Sequence, residues 1–485
     1  MTDASSTGRP RLLVVGLDGV PPEFLFERFL PQMPNVRRLV EGGTHGSLRS
    51  TDPPISVPAW PVMFTGVDPG TLGLYGFRHR RPGSYTEMHI PSARDLPVPT
   101  LWQLLSERGY RVGVVGMPPG YPAPAVNGVY VSDFLTPSNA TDSTHPPELR
   151  EEIERRFGPY AFDVTFRSAE RDQLALDLFA MTRRRFEVAE WLYGQEPWDV
   201  FAVHVIGTDR LHHAYWKYFD PTHPRFEAGS RFGRIADDFY ALVDEGIGRL
   251  LAHVDARTYV LIVSDHGNMA MRGCFCINQW LESAGYLTMR TPPTEPGTPI
   301  EKADVDWTRT TVWGAGGYYA RIFFNIVGRE TGGTVTLPDV PALRAALVEQ
   351  LAKVADPAGG HLRVQVLDPQ EIYATVRGDA PDLIVYFDDL RIRAAGTVGH
   401  PSLFLQGNDT GPDDAVHSFD GVFLLSGPGV PTRRTLPKEL QIRDVMPTIL
   451  ELLGEPVPAY VQGRPIRGLS RGRTGVSVAA TPAGT

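Results

Sequence analysis

The chain has 485 residues, enough for one large α/β core with insertions or for two or three domains. Lys plus Arg number 47 against 56 Asp plus Glu, a net charge of −9, which argues against nucleic acid or an anionic membrane as the main partner. No run approaches the roughly 18 consecutive apolar residues of a membrane span, and the polar start MTDASSTGRPR lacks the order of a signal peptide, so a cytoplasmic protein is expected; the oligomeric state stays open.

In chain order, RLLVVGLDG reads as a buried strand followed by a helix in MPNVRRLVEGG. In STDPPISVPAWPVMFTG, Ala59 to Thr65 reads as a helix with Ser56 at or near its N-terminus. TLWQLLSERGY is helical and leads into the strand RVGVVGM, and the β-branched run VFAVHVI opens directly into TDRLHHAYW. RIADDFYALVDEGIGRLLAHV is a helix leading into the strand of TYVLIVSDHG. This alternation predicts an α/β fold, a mostly parallel sheet with helices on both faces. From about 276 to 400 the pattern changes to Gly- and Pro-punctuated strands around one helix, an inserted α+β cap. The core, expected over 11–275 and 401–466, resumes with the strand DGVFLLSGPGV and the helix IRDVMPTILELLG. Residues 1–10 and 467–485 have the composition of disordered ends. Cys274 and Cys276, as C-x-C, are too few for a disulfide framework or a four-ligand zinc site and read as small packed side chains.

Strand candidates end at Asp18, Asp209 and Asp265, and in an open α/β sheet the ligand crevice lies beyond the carboxyl ends of the strands. Carboxylates brought together there repel unless a cation sits among them. Asp209 and His213 are four apart, on one face of a helical turn, and His266 follows Asp265. Such Asp/His mixtures suit divalent metals such as zinc, with about enough ligands for two ions. Singly, each residue has an ordinary explanation: Asp18 as a turn residue, His213 beside an exposed His212 as a polar turn, Ser56 as an N-cap. At a helix N-terminus Ser56 is equally a candidate nucleophile, with free N–H groups to cradle an anion.

The ordered blocks VVGLDGV, PPISVPAWPVMFTG, GTDRLHHAYW, IVSDHGN and VHSFDGVFLLSGPG resemble the alkaline phosphatase superfamily. They are most similar to its type I phosphodiesterase/nucleotide pyrophosphatase branch and to that branch's bacterial phosphohydrolase/phosphomutase relatives. The resemblance implies a phosphodiesterase or phosphatase acting on a small-molecule phosphate ester through a Ser56 phospho-enzyme at a two-metal site, zinc or manganese. One ion would be held by Asp209, His213 and His417, the other by Asp18, Asp265, His266 and the Ser56 oxygen; two ions ~4 Å apart can clamp the attacking and leaving oxygens of an in-line displacement. His417 enters only through the resemblance. Ala59 stands where the eukaryotic-type pyrophosphatases carry a phosphoryl-binding Asn, and Trp60 where sulfatases need Arg, which disfavours a sulfatase. Arg78, His79, His212 and Asn278 lie near the motifs as candidate substrate contacts. The alternatives are a phosphomutase or phosphotransferase, in which a substrate hydroxyl accepts the phosphoryl group, and a non-catalytic nucleotide-binding relative.

Overall fold

The computed structural model describes residues 8–437 and 440–469. Its centre is a nine-stranded sheet in the order Arg434–Thr435, Gly43–Arg49, Asp420–Ser426, Thr258–Val263, Arg11–Leu17, Val200–Val205, Val112–Val115, Gly128–Val131, Thr144–His145. The middle of the sheet is parallel: Arg11–Leu17 pairs in that sense with both Thr258–Val263 and Val200–Val205, and Val112–Val115 with Val200–Val205 and Gly128–Val131. Towards both edges, Asp420–Ser426 and Thr144–His145 run antiparallel to their inner neighbours.

The central strands are apolar without alternation because both faces are covered. Leu13, Val15, Leu17, Phe201, Val203 and Val205 enter one core cluster, with the helices Arg171–Gln195, Gly207–Phe219 and Ile235–Leu251. Leu12, Val14, Val200, Ala202, Leu261 and Val263 enter the other, with the helices Ser56–Thr65, Leu101–Glu107 and Val445–Leu453. Strand period two thus sorts one continuous apolar run into two cores.

A second sheet runs in the order Val312–Ala315, Ala320–Phe324, Leu383–Phe387, Ile392–Ala395, Gly273–Cys276, Phe404–Leu405 and closes over its own cluster, which includes Phe275, Trp313, Phe323 and Phe387. Cys274 and Cys276 are buried free thiols in it. Between the sheets, Gly267–Ala270 pairs antiparallel with Ala415–Ser418. Of the ends expected to be disordered, 1–7 and 470–485 lie outside the described residues, whereas Leu469 is buried against the core beside Ile466 because an apolar side chain finds cover there. No helix among the described residues is long and apolar enough to cross a membrane.

Candidate active site

Three adjacent parallel strands deliver the acids to one edge. Leu17 pairs with Val205 and Gly16 with Val263, so Asp18, the Gly207–Phe219 helix carrying Asp209, and Asp265 all follow at the same level. Gly19 has φ +67°, and a Cβ there would come within 2.8 Å of Asp209 Oδ1 and 2.5 Å of Asn268 Nδ2. Only glycine both turns the chain after Asp18 and leaves room for the second carboxylate. The Gly19 N–H donates to Asp265 Oδ1 at 3.2 Å, tying the first strand end to the third.

The first group of side chains gathers around Ser56, the opening residue of its helix. Ser56 Oγ donates to Asp18 Oδ1 at 3.2 Å and lies 3.3 Å from His266 Nε2. His266 Nε2 is 3.8 Å from Asp18 Oδ1 and 3.2 Å from Asp265 Oδ2. The other Asp18 oxygen, Oδ2, accepts from the Trp60 indole N–H at 2.8 Å and faces His204 Nε2 at 2.9 Å. Trp60 is wholly buried, packed against the Cβ-free face of Gly16. The residue that stands in the sulfatase Arg position thus orients a carboxylate.

The second group gathers around Asp209. One helical turn separates Asp209 from His213, and Asp209 Oδ1 lies 3.1 Å from His213 Nε2. His213 Nε2 is 3.3 Å from His417 Nε2, which is 3.8 Å from Asp209 Oδ1. Asn268 Nδ2 donates to Asp209 Oδ1 at 3.0 Å and Arg210 Nη1 to Oδ2 at 2.8 Å. Burial would raise the Asp209 carboxyl, but His213 and Arg210 outweigh it and hold it well below the usual range. Burial would likewise lower the His213 imidazole, yet Asp209, Tyr318 and Asp413 drive it well above its ordinary value, a sign of strong negative potential.

The imidazoles are turned for ligation. His266 Nδ1 donates to the Gly267 carbonyl at 3.0 Å, His417 Nδ1 to the Pro54 carbonyl at 2.8 Å and His213 Nδ1 to Asp413 Oδ1 at 2.7 Å. A carbonyl only accepts, so in neutral His266 and His417 Nε2 carries a lone pair, and those lone pairs converge with the carboxylates. Asp265 Oδ2 is buried with no hydrogen-bond donor and faces His266 Nε2; burial and then Asp18 push its carboxyl pKa well up. With Asp265 ionised, these are two acceptors facing each other in a buried site, a conflict that a proton or a cation between them resolves. Bonds of about 2.0–2.1 Å to a four-coordinate ion place ligand atoms about 3.3 Å apart. Separations of 3.1, 3.3 and 3.8 Å in the second group match that, as do 3.2, 3.3 and 3.8 Å in the first. Asp209, His266 and His417, and likewise Asp18, Asp265 and His266, hold ligand atoms within 4.8 Å of one another, so each set could hold a metal ion; His266 belongs to both sets and His213 to neither.

A cavity of about 590 Å³ opens beside the site, its wall running from Ile55 and Tyr318 to Arg78 and Arg321. Arg78 is exposed on that wall. His79 is buried, accepts the Tyr75 N–H at 3.1 Å, and is pushed down to about 4, mainly by burial. His212 and Asn278, the other expected substrate contacts, are enclosed within the fold. His212 is wholly buried, with Nδ1 on the Gly19 carbonyl at 3.1 Å and Nε2 on the Tyr240 hydroxyl at 3.0 Å, so one ring nitrogen braces the Asp18 turn and the other ties it to the Ile235–Leu251 helix. Asn278 is equally buried and exchanges amide bonds with Gly314 while donating to the Gly396 carbonyl at 2.7 Å, stitching the second sheet together.

Sequence reasoning passed over Trp60 as a donor, His204, Asn268, Tyr318 and Asp413. A lone His in the apolar strand Val200–Val205 was a legible signal for His204. Asp413 takes His213, Arg393 and Arg167 at once, a convergence from three separate segments that no local pattern announces.

Residues 12–413 match the family described as type I phosphodiesterase/nucleotide pyrophosphatase, the match ending just before His417. No curated protein matches the chain. Among solved structures, the fold is similar to phosphonoacetate hydrolase from Sinorhizobium meliloti 1021 in complex with phosphonoformate, with a TM-score of 0.60 and 16% identity over 92% of this chain and 95% of that one. With a family match over most of its length and an alkaline-phosphatase-like fold, this chain belongs to the type I phosphodiesterase/nucleotide pyrophosphatase family of the alkaline phosphatase superfamily and is a phosphoric ester hydrolase.

Proposed function

We propose that the protein hydrolyses small-molecule phosphodiesters through a phospho-Ser56 intermediate at a two-zinc site, with manganese as a substitute metal. Asp209, His213 and His417 would hold one ion, and Asp18, Asp265, His266 and the Ser56 oxygen the other. The observation that carries this reading is the meeting of carboxylate oxygens, imidazole Nε2 atoms and the Ser56 hydroxyl at spacings of 3.1–3.8 Å in a buried pair of clusters. Bound divalent ions would lower the pKa of the Ser56 hydroxyl and offset charge on the phosphoryl oxygens.

The residues of the chain do the rest. Ser56 Oγ, fixed by Asp18 and by the start of its helix, gives up its proton to solvent and attacks phosphorus. The bond from phosphorus to the leaving ester oxygen breaks, and that oxygen leaves as an alcohol with a proton from solvent. Water then attacks the phosphoserine, the bond from phosphorus to Oγ breaks, and Ser56 regains its proton. Trp60 and His204 hold Asp18, and Asp413 holds His213, so the nucleophile and its neighbours need no rearrangement during the reaction. The second ester group of a diester has a place in the adjoining cavity, which favours diesters over monoesters. The buried free thiols of Cys274 and Cys276 support the expected cytoplasmic setting.

Intact-mass analysis of zinc-loaded protein quenched in acid during turnover of an aryl phosphodiester tests the reading. One added phosphoester mass on the parent and none on Ser56→Ala is expected; equal labelling of both, or turnover with no adduct and an unimpaired Ser56→Ala variant, overturns it.

A further inference from the structure

The cavity beside Ser56 is lined by Arg78, Arg167, Arg210, Arg321 and Arg393, and they fall into two kinds. Arg210 is paired with Asp163 and Asp209, each at 2.8 Å. Arg167 and Arg393 share Asp413 at 3.1 and 2.8 Å. These three are neutralised and serve to position the acids behind the site. Arg78 and Arg321 have no carboxylate partner among the described residues, although they sit together: Arg321 Nη1 donates to the Arg78 backbone carbonyl. Asp409, on the same wall, is occupied by the Thr397 hydroxyl at 2.8 Å, and the exposed Glu301 makes no ion pair among the described residues.

The contrast with the next arginine along is direct. Arg80, in the same segment as Arg78 but turned away from the cavity, is buried against Glu330 at 2.8 Å and Asp379 at 2.7 Å. Where the fold uses an arginine structurally here, it supplies the counter-charge. Arg321 comes from the strand Ala320–Phe324 of the second sheet, and burial together with the Arg78 charge depresses its guanidinium pKa. Arg321 is partly buried beside the Arg78 main chain with no acid to pair it, the exposed Arg78 side chain lines the same wall, and the guanidinium fork is suited to carboxylate or phosphate oxygens.

We propose that Arg78 and Arg321 form a subsite for a second anionic group, a carboxylate or a phosphoryl group, at the far end of the substrate from the phosphorus attacked by Ser56. The enzyme then selects phosphoesters whose retained portion carries its own negative charge over those ending in an uncharged alkyl or aryl group. This rests on the reading that the phosphoryl group lies at Ser56.

Binding separates the two readings. Alkylphosphonates of increasing chain length, ending in methyl, carboxylate or phosphonate, are titrated calorimetrically onto the zinc-loaded full chain. At one chain length the anionic terminus should bind about tenfold or more tighter than the methyl terminus, the range expected of a charge-assisted contact, and the comparison of carboxylate with phosphonate identifies which anion the subsite takes. The ratio should fall towards one in Arg321→Ala and in Arg78→Ala, and Arg321→Lys should keep part of it. Arg78 is exposed, so its variant answers the question even if Arg321→Ala is unstable on a thermal melt. An unchanged ratio in Arg78→Ala, or no preference at any chain length in the parent, overturns the subsite while Ser56 labelling by an aryl phosphodiester with uncharged ester groups leaves the hydrolase reading standing. If no phosphonate binds the loaded parent and no Ser56 label forms, the placement of the phosphoryl group fails and the subsite with it.

Discussion

The two ligand groups differ in what stands behind them. Asp18 and Asp265 are braced by neutral donors: the Trp60 indole, the Gly19 N–H and the ring of His204, whose pKa burial lowers. Asp209 and His213 are braced by charge, with Arg210 on one and the Asp413–Arg393–Arg167 array on the other. The first group therefore has unbalanced negative charge and the second carries its own cations. A buried carboxylate pair without a counter-cation is the more metal-dependent arrangement, and it is the one that surrounds the nucleophile.

Metal removal should have the largest effect. Elemental analysis is expected to find about two divalent ions per chain; chelation should take activity to background and zinc or manganese restore it. Full activity in a metal-free preparation would break the comparison at its root, since neither group would then need a cation.

Next in size, Ser56→Ala should lower kcat/KM on an aryl diester by on the order of 10³-fold or more, because a tethered, positioned nucleophile is lost. Its ions should stay bound, since the carboxylates and imidazoles remain. Loss of metal from this variant would show that the hydroxyl matters more as a ligand than as a nucleophile.

The supports can be compared directly. Asp413→Asn should cost about 10–100-fold in affinity for the ion at His213, read by competition with a chromophoric chelator. Trp60→Phe, which removes one neutral donor to Asp18, should cost less than about tenfold at the other ion. Reversed magnitudes would mean that the indole, not the charged array, is the stronger brace.

The same asymmetry predicts a pH dependence for the metal-free protein. The Asp265 carboxyl is raised above its unfolded value near 3.9 by burial and by Asp18. Its contribution to stability is therefore fully present below that value and is lost as pH rises through the folded pKa. Thermal melts should show metal-free protein weakening over this interval, and the stabilisation by added zinc should grow across it. A flat profile would show Asp265 to be already compensated. Smallest for catalysis, Asn278→Ala should cost about 1–3 kcal/mol of stability with kcat/KM per folded molecule unchanged; a raised KM would return Asn278 to the substrate side.

Local pattern determined a good deal. Apolar runs closed by Asp18, Asp209 and Asp265 announced parallel strands with acids at one edge, and the four-residue spacing of Asp209 and His213 placed both on one helix face, as the 3.1 Å separation shows. These are matters of period and chain order, which a sequence carries in full. Only the tertiary structure decided which polar residues face each other. His417 reaches Asp209 because Gly267–Ala270 pairs with Ala415–Ser418 in the register that sets Asn268 opposite His417. Asp413 meets His213 across 200 residues. His212 and Asn278, plausible contacts by position, turn out to be enclosed among backbone and side-chain partners that satisfy them, while Arg78 and Arg321 come together without a counter-charge. A residue's chemistry is written locally, but whether it is spent on the fold or left for a ligand depends on the partners that distant strands bring within about 3 Å of it.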